Sequence, residues 1–415
     1  MHLYTVPLIF ALISLVFYVV LAGADFGAGF WQLFAGRGSH ADEIREHAHA
    51  SNAPVWEANH VWLIYLLVVV WTAYPTAFSS IVSTLSIPLF IAAIGIIFRG
   101  AAYALRSGTR TRRETRFFDT AFSVASILTP FALGTVIGGI ASGRVPVGNA
   151  QGHPWSSWLN ETSIMIGVLA VMLSAYLAAV YLAADATRHG HTDVSRAFHV
   201  RALGSGLVAG IVAAVGLIVI HHDIRPLFDN LTSGGGLVAL IISVVAGVIT
   251  LGLLLQRRYE WSRYTGALAV AAIIAAWAVA QSPQFLPGLT VHEAAAPHDT
   301  LVAVIIATIG GAIILFPSLA ILFTLTLRGQ LGVEHGETAA EAGAQPPSIR
   351  ALAPGREGLL ARVAIALFIA GFGFLTVANA GWAHAIGAPC LLLCVIVGFR
   401  AAVPIQPPEE PTGVA

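Results

Sequence analysis

Long apolar runs separated by short, arginine-bearing connections set the pattern of this chain. A membrane-spanning helix needs about 20 mainly apolar residues. That criterion picks out segments near 4–33, 58–78, 81–105, 117–141, 162–184, 199–221, 236–255, 264–282, 300–327, 359–378 and 383–403, eleven in all. Within the last of them, Trp382 to Pro389 also admits a re-entrant turn. Between the ninth and tenth, Gly329 to Glu357 is rich in Gly, Ala, Pro and Glu without helical or strand periodicity, which reads as a flexible linker. The expected organisation is a bundle over 1–328, a cytoplasmic linker over 329–358, a helix pair over 359–403 and a tail over 404–415.

Composition sharpens this into a fold class. Of 415 residues 57% are hydrophobic and only 10% charged, with mean hydropathy +0.80. So few charges cannot cover a soluble protein of this length, so the chain reads as an all-α polytopic membrane protein. A bundle of about nine transmembrane helices with an extra C-terminal helix pair is expected. All 21 basic residues are arginine. Arg106, Arg110, Arg112, Arg113 and Arg116 fall in one connection, taken as cytoplasmic by the positive-inside rule. Counting spans outward from there puts eighteen arginines inside and only Arg144 and Arg225 outside, with Arg99 within the third span. The N-terminus is then outside, and the C-terminus inside if the last pair spans. The first apolar run continues into "GADFGAGFW", past any signal-peptide cleavage site.

Against this background the charges inside spans stand out. Asp25 lies late in the first span, Glu57 opens the second, Arg99 is late in the third and Asp119 early in the fourth. With alternating direction, all four share one depth near the cytoplasmic boundary. Ionised groups in a bilayer cost a few kcal/mol unless paired or hydrated, so they are expected in the bundle interior. One reading has Arg99 neutralising Asp25 or Asp119 as structural glue. The other notes that three acids against one arginine leave carboxylates unpaired. Glu57 is then suited to take up and pass on protons. Around it, Trp56 and Trp62 are interfacial aromatics, and His60 is either a relay or a hydrogen-bonded neighbour. Gly23, Gly27 and Gly29 permit close helix approach.

The fifteen histidines include none in the middle of a span, so a pair of haem ligands on facing helices within this chain is not expected. His2, His40, His47, His49, His153, His189, His191, His292, His298 and His335 fall in termini or loops; His60, His199, His221, His222 and His384 fall at segment ends. Cys390 and Cys394 lie four apart in a late apolar segment and constitute neither a zinc site nor a disulfide framework. No metal site is expected.

The blocks "LAGADFGAGFW", "NAPVWEANHVWLI", "TAYPTAFSS", "IIFRGAAYALR" and "RFFDTAFSVAS" occur in an order that resembles subunit II of cytochrome bd-type terminal oxidases. The likeness is densest over the first ~120 residues; further on, "SPQFLPGLTVHEAAAPHDTL" is similar to the outer loop before that family's ninth helix. The resemblance implies a non-haem subunit of a quinol:oxygen oxidoreductase of the bacterial plasma membrane. A haem-bearing subunit I would hold the b- and d-type haems, with none in this chain, and quinol and O2 would be the substrates of the complex. It implies that this subunit stabilises subunit I and supplies a cytoplasmic proton path for reduction of oxygen to water. On the matching motifs, Glu57 and Asp25 take the proton-transfer roles, with Trp56, Asn59, His60, Trp62, Arg99 and Asp119 in support. A bound quinone, a small accessory subunit and membrane lipid are further partners left open; no nucleic acid is expected. Two departures stand: many members have aspartate and glycine where this chain has Glu57 and Ala58, and the final helix pair has no counterpart. From the residues alone, a proton-coupled transporter and a purely structural scaffold are the competing readings. Internal repeats and midplane broken helices would favour the transporter, and none is evident.

Overall fold

The computed structural model describes residues 2–36, 38–50, 56–106, 108–109, 111–327, 356–376 and 381–402. Two compact units divide the chain, Met1–Pro317 and Ser318–Ala415. In the first, α1 (Val6–Phe17) runs through a π-helical turn (Tyr18–Ala22) into α2 (Gly23–Leu33). There follow α3 (Ser39–Ala50), α4 (Trp56–Ala73), α5 (Pro75–Thr84), α6 (Ser86–Arg106), α7 (Arg112–Ala141), α8 (Glu161–Arg188) and α9 (Thr192–Asp223). Then come α10 (Arg225–Leu231), α11 (Gly234–Leu255), α12 (Tyr259–Gln281), a hairpin of β1 (Gln284–Leu286) and β2 (Leu289–Thr290), α13 (Val291–Ala294) and α14 (His298–Leu327), whose residues from Ser318 on belong to the second unit. The second unit contains α15 (Arg356–Thr376) packed against α16 (Gly381–Ala402).

Among the described residues, eight helices are long and apolar enough to cross a membrane; the apolar stretches 59–73, 362–374 and 385–397 are shorter. Among the described residues each of the eleven expected segments is largely helical, with several differences. The segment read as 58–78 stops at Ala73, because Tyr74 precedes Pro75 and takes φ −139°, ψ 60°, as the pre-proline clash with helical geometry demands. Pro75 then opens the short α5, where its missing N–H costs nothing. The connection after the first span contains a helix, α3, whose Ala41, Ile44 and Ala48 are buried, so His47 and His49 are helical and not loop residues. The outer loop before α14 holds a small antiparallel hairpin turning at Gly288, with Gln284 opposite Thr290. A capping box between Thr290 and Glu293 starts α13. The segment 382–389 is part of a continuous helix through Pro389, with no re-entrant turn. The linker from 328 to 355 and the tail from 403 lie outside the described residues.

Packing in the first unit centres on α8. Its stretch from Ser174 to Val180 is buried without a break and is mostly alanine and other small residues. Small side chains let helix backbones approach closely, which is how membrane helices gain contact when lipid supplies no hydrophobic drive. α8 packs on α9, α7 and α2, while α6 pairs with α7, α11 with α12 and α1 with α4. Two glycines set the position of α2. A Cβ at Gly27 would collide with the Ser174 carbonyl on α8, and one at Gly29 with the Ser126 hydroxyl on α7. The third glycine of that motif, Gly23, has ordinary van der Waals room. Along the periphery, large apolar side chains such as Phe90, Ile97, Ile218 and Ile314 point outward, as lipid contact requires and water would not.

A charged seam at one end of the bundle

α6 and α7 form an antiparallel hairpin, and its facing stripes build the candidate site. On α6, Arg99, Tyr103 and Arg106 fall on one helical face; on α7, Asp119, Phe122 and Ser126 do the same. Each pair lies equally far from the turn. Arg106 Nε donates to Asp119 Oδ1 at 2.7 Å, the Tyr103 and Phe122 rings lie 6.3 Å apart, and Arg99 Nε donates to Ser126 Oγ at 3.0 Å. The hairpin is fixed at its start by a capping box in which Thr111 and Glu114 exchange side-chain to backbone hydrogen bonds.

At the inner end of the seam, α2 adds the acid. Arg99 Nη1 donates to Asp25 Oδ2 at 2.9 Å and Nη2 to Asp25 Oδ1, with a further bond from Nη2 to the Asp25 carbonyl at 3.3 Å. Arg99 is 2% and Asp25 5% exposed. The Phe26 and Phe122 rings lie 5.0 and 4.6 Å from the guanidinium carbon. This is a bidentate, aromatic-walled ion pair, the geometry for which arginine rather than lysine is suited. Of the two acids expected for Arg99, Asp25 takes it, and the expectation that Asp119 is left to compete for the same arginine or stay unpaired is corrected. Asp119 has its own partner in Arg106, which also reaches Glu46 at 3.4 Å. Arg106 and Asp119 are a quarter exposed and Glu46 is mostly exposed, at the end of α6 and the start of α7, with the His49 ring of α3 tilted against Tyr103 at 5.0 Å. Burial, then the nearby Arg106 charge, lower the His49 pKa; burial likewise lowers that of His47.

α4 closes the other side. Trp56 and Glu57 occupy its first turn, and their side chains lie outside the described residues. Asn59 is buried and its Nδ2 approaches the Leu21 carbonyl of the π turn at 3.4 Å; wider turns of this kind loosen the helical ladder and recur at functional sites. The His60 ring packs edge-on against Tyr18 and Phe26, with centroids 6.1 Å from each. Trp62 stacks on Phe17 at 4.6 Å, and its carbonyl accepts from Ser14 Oγ at 2.6 Å. Tyr18, buried between them, has a hydroxyl with no hydrogen-bond partner among the described residues. Sequence reasoning missed Tyr18, Tyr103, Phe122, Ser126, Arg106, Glu46 and His49. The spacing of 99, 103 and 106 against 119, 122 and 126 was a usable signal, since both triplets recur at helical intervals around one short turn.

The cytochrome bd terminal oxidase subunit II family model matches residues 3–326, more than three-quarters of the chain and the whole of the seam. The chain belongs to the cytochrome bd terminal oxidase subunit II family. It is 28% identical over 169 residues to the cytochrome bd ubiquinol oxidase subunit 2 of Bacillus subtilis, covering 40% of this chain and 48% of that one. Against the cytochrome bd-I ubiquinol oxidase subunit 2 of Escherichia coli it is 25% identical over 177 residues, 41% and 45% of the two chains. The matched stretch thus spans about half the length of these relatives. In structure, it is similar to a chain of the bd oxidase from Geobacillus thermodenitrificans, with a TM-score of 0.62 and 25% identity over 79% of this chain and 99% of that one. This subunit II family member is therefore a multi-pass membrane protein by both its helices and its family.

Proposed function

We propose that this chain is the non-haem subunit of a quinol:oxygen oxidoreductase, stabilising a haem-bearing subunit I and conducting protons from the cytoplasmic side toward the site of oxygen reduction. The observation that carries the reading is the family match over residues 3–326, and the charged seam supports it locally. Haems of b and d type belong, on this reading, to subunit I, and a haem there supplies the electrons that make oxygen consume protons. Quinol and O2 are the substrates of the complex. The N-terminus faces outward and the arginine-rich connection after α6 faces the cytoplasm. A single bundle over 1–328, a linker over 329–358 and a terminal helix pair over 359–403 remain the proposed organisation.

The residues divide the work by exposure. Glu46, Arg106 and Asp119, partly open to water, form the entry. Farther in, Asp25 has both oxygens engaged by Arg99, so it accepts a proton only when that pair opens. Glu57 opens α4 on the same side, ahead of Asn59 and His60, and is the main carrier. The Tyr18 hydroxyl, beside His60 and without a hydrogen-bond partner among the described residues, serves as a relay. Trp56 and Trp62 flank the carrier on α4. The test is Glu57→Gln in the assembled complex, read as quinol-driven oxygen uptake beside the haem spectrum. Uptake should fall at least about tenfold, the loss of one general acid–base step being worth that or more, with haem content kept. Wild-type turnover in that variant would remove Glu57 from the path. For Asp25 alone, complete pairing favours a scaffold role. Asp25→Asn turning over normally in a less stable complex would support that narrower reading. Co-purification of a second multi-span chain with b- and d-type absorption bands tests the partner.

A further inference from the structure

A second arginine inside a span has no such acid. Arg201 lies ten residues into α9, and its guanidinium carbon sits 5.8 Å from the Trp31 ring and 5.6 Å from the Phe198 ring. Among the described residues its one hydrogen bond runs from Nη1 to the Ala197 carbonyl of its own helix at 3.1 Å, and no carboxylate lies within ion-pair distance. A guanidinium offers five donors in a planar fork, and a cation within an apolar segment is costly unless something answers its charge. Beside it a groove of about 350 Å³ runs between α2, α8 and α9, walled by Phe30, Trp31, Phe34, Gly204 and Ser205. Its floor is open because Gly204 has no Cβ, and one built there would meet nothing within 4 Å. Beyond the groove α9 turns Leu207, Val208 and Ile211 outward. Phe30, Trp31 and Phe34 cluster at the end of α2, the level at which aromatic side chains sit in the headgroup region.

We propose that this groove is a binding site for an anionic phospholipid, its phosphodiester held in the fork of Arg201 and one acyl chain lying along Leu207, Val208 and Ile211. Phosphate matches the planar fork bidentately. The net positive charge of the site selects an anionic lipid over a zwitterionic one. The aromatic wall covers the glycerol region, and the missing side chain at Gly204 leaves room for it.

The test uses the purified two-subunit complex, with bound lipid counted by native mass spectrometry after exchange into micelles containing phosphatidylglycerol or phosphatidylcholine. One phosphatidylglycerol should resist delipidation in the wild type. Arg201→Gln should weaken its retention about tenfold, the loss of a charge-assisted pair. Gly204→Phe keeps the charge but puts a ring into the groove from a position whose Cβ meets nothing within 4 Å, and should reduce retention comparably. Phosphatidylcholine should be held less well, and millimolar inorganic phosphate should not displace the lipid. Unchanged retention in both variants would overturn the site. Displacement by inorganic phosphate would make it an anion site and not a lipid site, which also overturns the proposal. So would dissociation of the partner subunit from Arg201→Gln with lipid unaltered, since the groove would then be a protein contact.

Discussion

Arg99 and Arg201 are each flanked by two aromatic rings, and α2 supplies one ring to each, Phe26 to the first and Trp31 to the second. They differ in what answers the charge. Arg99 is 2% exposed and bidentate to Asp25, with its Nε on Ser126. Arg201 is half-buried beside an open groove and, among the described residues, has only a carbonyl of its own helix. The difference teaches how depth and packing decide the role of one residue type. Where helices close completely, as Gly27 and Gly29 let α2 close on α8 and α7, the compensating charge must come from the chain itself. Where a groove stays open toward lipid, it can come from outside. The first arrangement resists change; the second is exchangeable.

The sharpest way to break the comparison is to remove one partner of the buried pair. Arg99→Leu or Asp25→Leu leaves an uncompensated ion in the interior and should cost about 3–5 kcal/mol, read as loss of folded complex or a large fall in Tm in detergent. The double replacement Asp25→Leu with Arg99→Met should recover much of that stability, because apolar packing often equals a buried pair. Failure of the double variant to recover would mean the pair holds more than its own charge. Next in size is Gly27→Ala. The added methyl meets the Ser174 carbonyl, a backbone atom that cannot rotate away, so α2 must shift at a cost of about 1–3 kcal/mol. Gly23→Ala, where the nearest atom is a leucine methyl at 3.5 Å, is the matched control and should change little.

What sequence alone could reach follows the same line. Apolar run length and arginine placement were enough for the fold class, because a bilayer imposes length and charge rules on every span. The common depth of Asp25 and Arg99 was also legible from alternating helix direction, but Asp119, expected at the same depth, lies about two helical turns nearer the α6–α7 turn, paired with Arg106. The partner of each was not legible. Choosing Asp25 over Asp119 for Arg99 depends on how closely α2 approaches α6 and α7, which Gly27 and Gly29 decide through contacts with Ser174 and Ser126, 147 and 97 residues away in the chain. α3 was missed because its mixed composition carries no long apolar run; Ile44 and Ala48 are buried in the core cluster shared with α8 and α9. Arg201 was counted among the inside arginines, since nothing in its neighbours' letters signals the open groove.

Smaller effects come from the entry end of the seam. Asp119 and Arg106 are each about a quarter exposed, so water screens the pair and Asp119→Asn should cost roughly 0.5–1 kcal/mol or less. His49 adds a pH dependence. Its pKa in the folded chain is lowered, by burial first and by Arg106 second, below its ordinary value of about 6.5. The unfolded chain then binds the proton more readily, so stability is unaffected well above pH ~6.5 and falls as the pH drops through that value toward the lower folded pKa. His49→Gln should flatten this acid limb in a Tm-versus-pH series, leaving the slope from His47. An unchanged limb would mean that His49 binds its proton equally well folded and unfolded.

The smallest effect is expected where the comparison began. If the charge of Arg201 is answered by lipid, removing it costs the folded chain almost nothing in lipid-free detergent, because no internal partner is orphaned. Arg201→Gln should therefore lie within about 0.5 kcal/mol of wild type there, against the several kcal/mol expected for Arg99. Adding phosphatidylglycerol should raise the Tm of the wild type and not of the variant, since a ligand bound only by the folded state stabilises it by mass action. A large loss of stability for Arg201→Gln in the absence of lipid would erase the contrast and mean that contacts within the protein, such as those to Trp31 and Phe198, answer the charge instead.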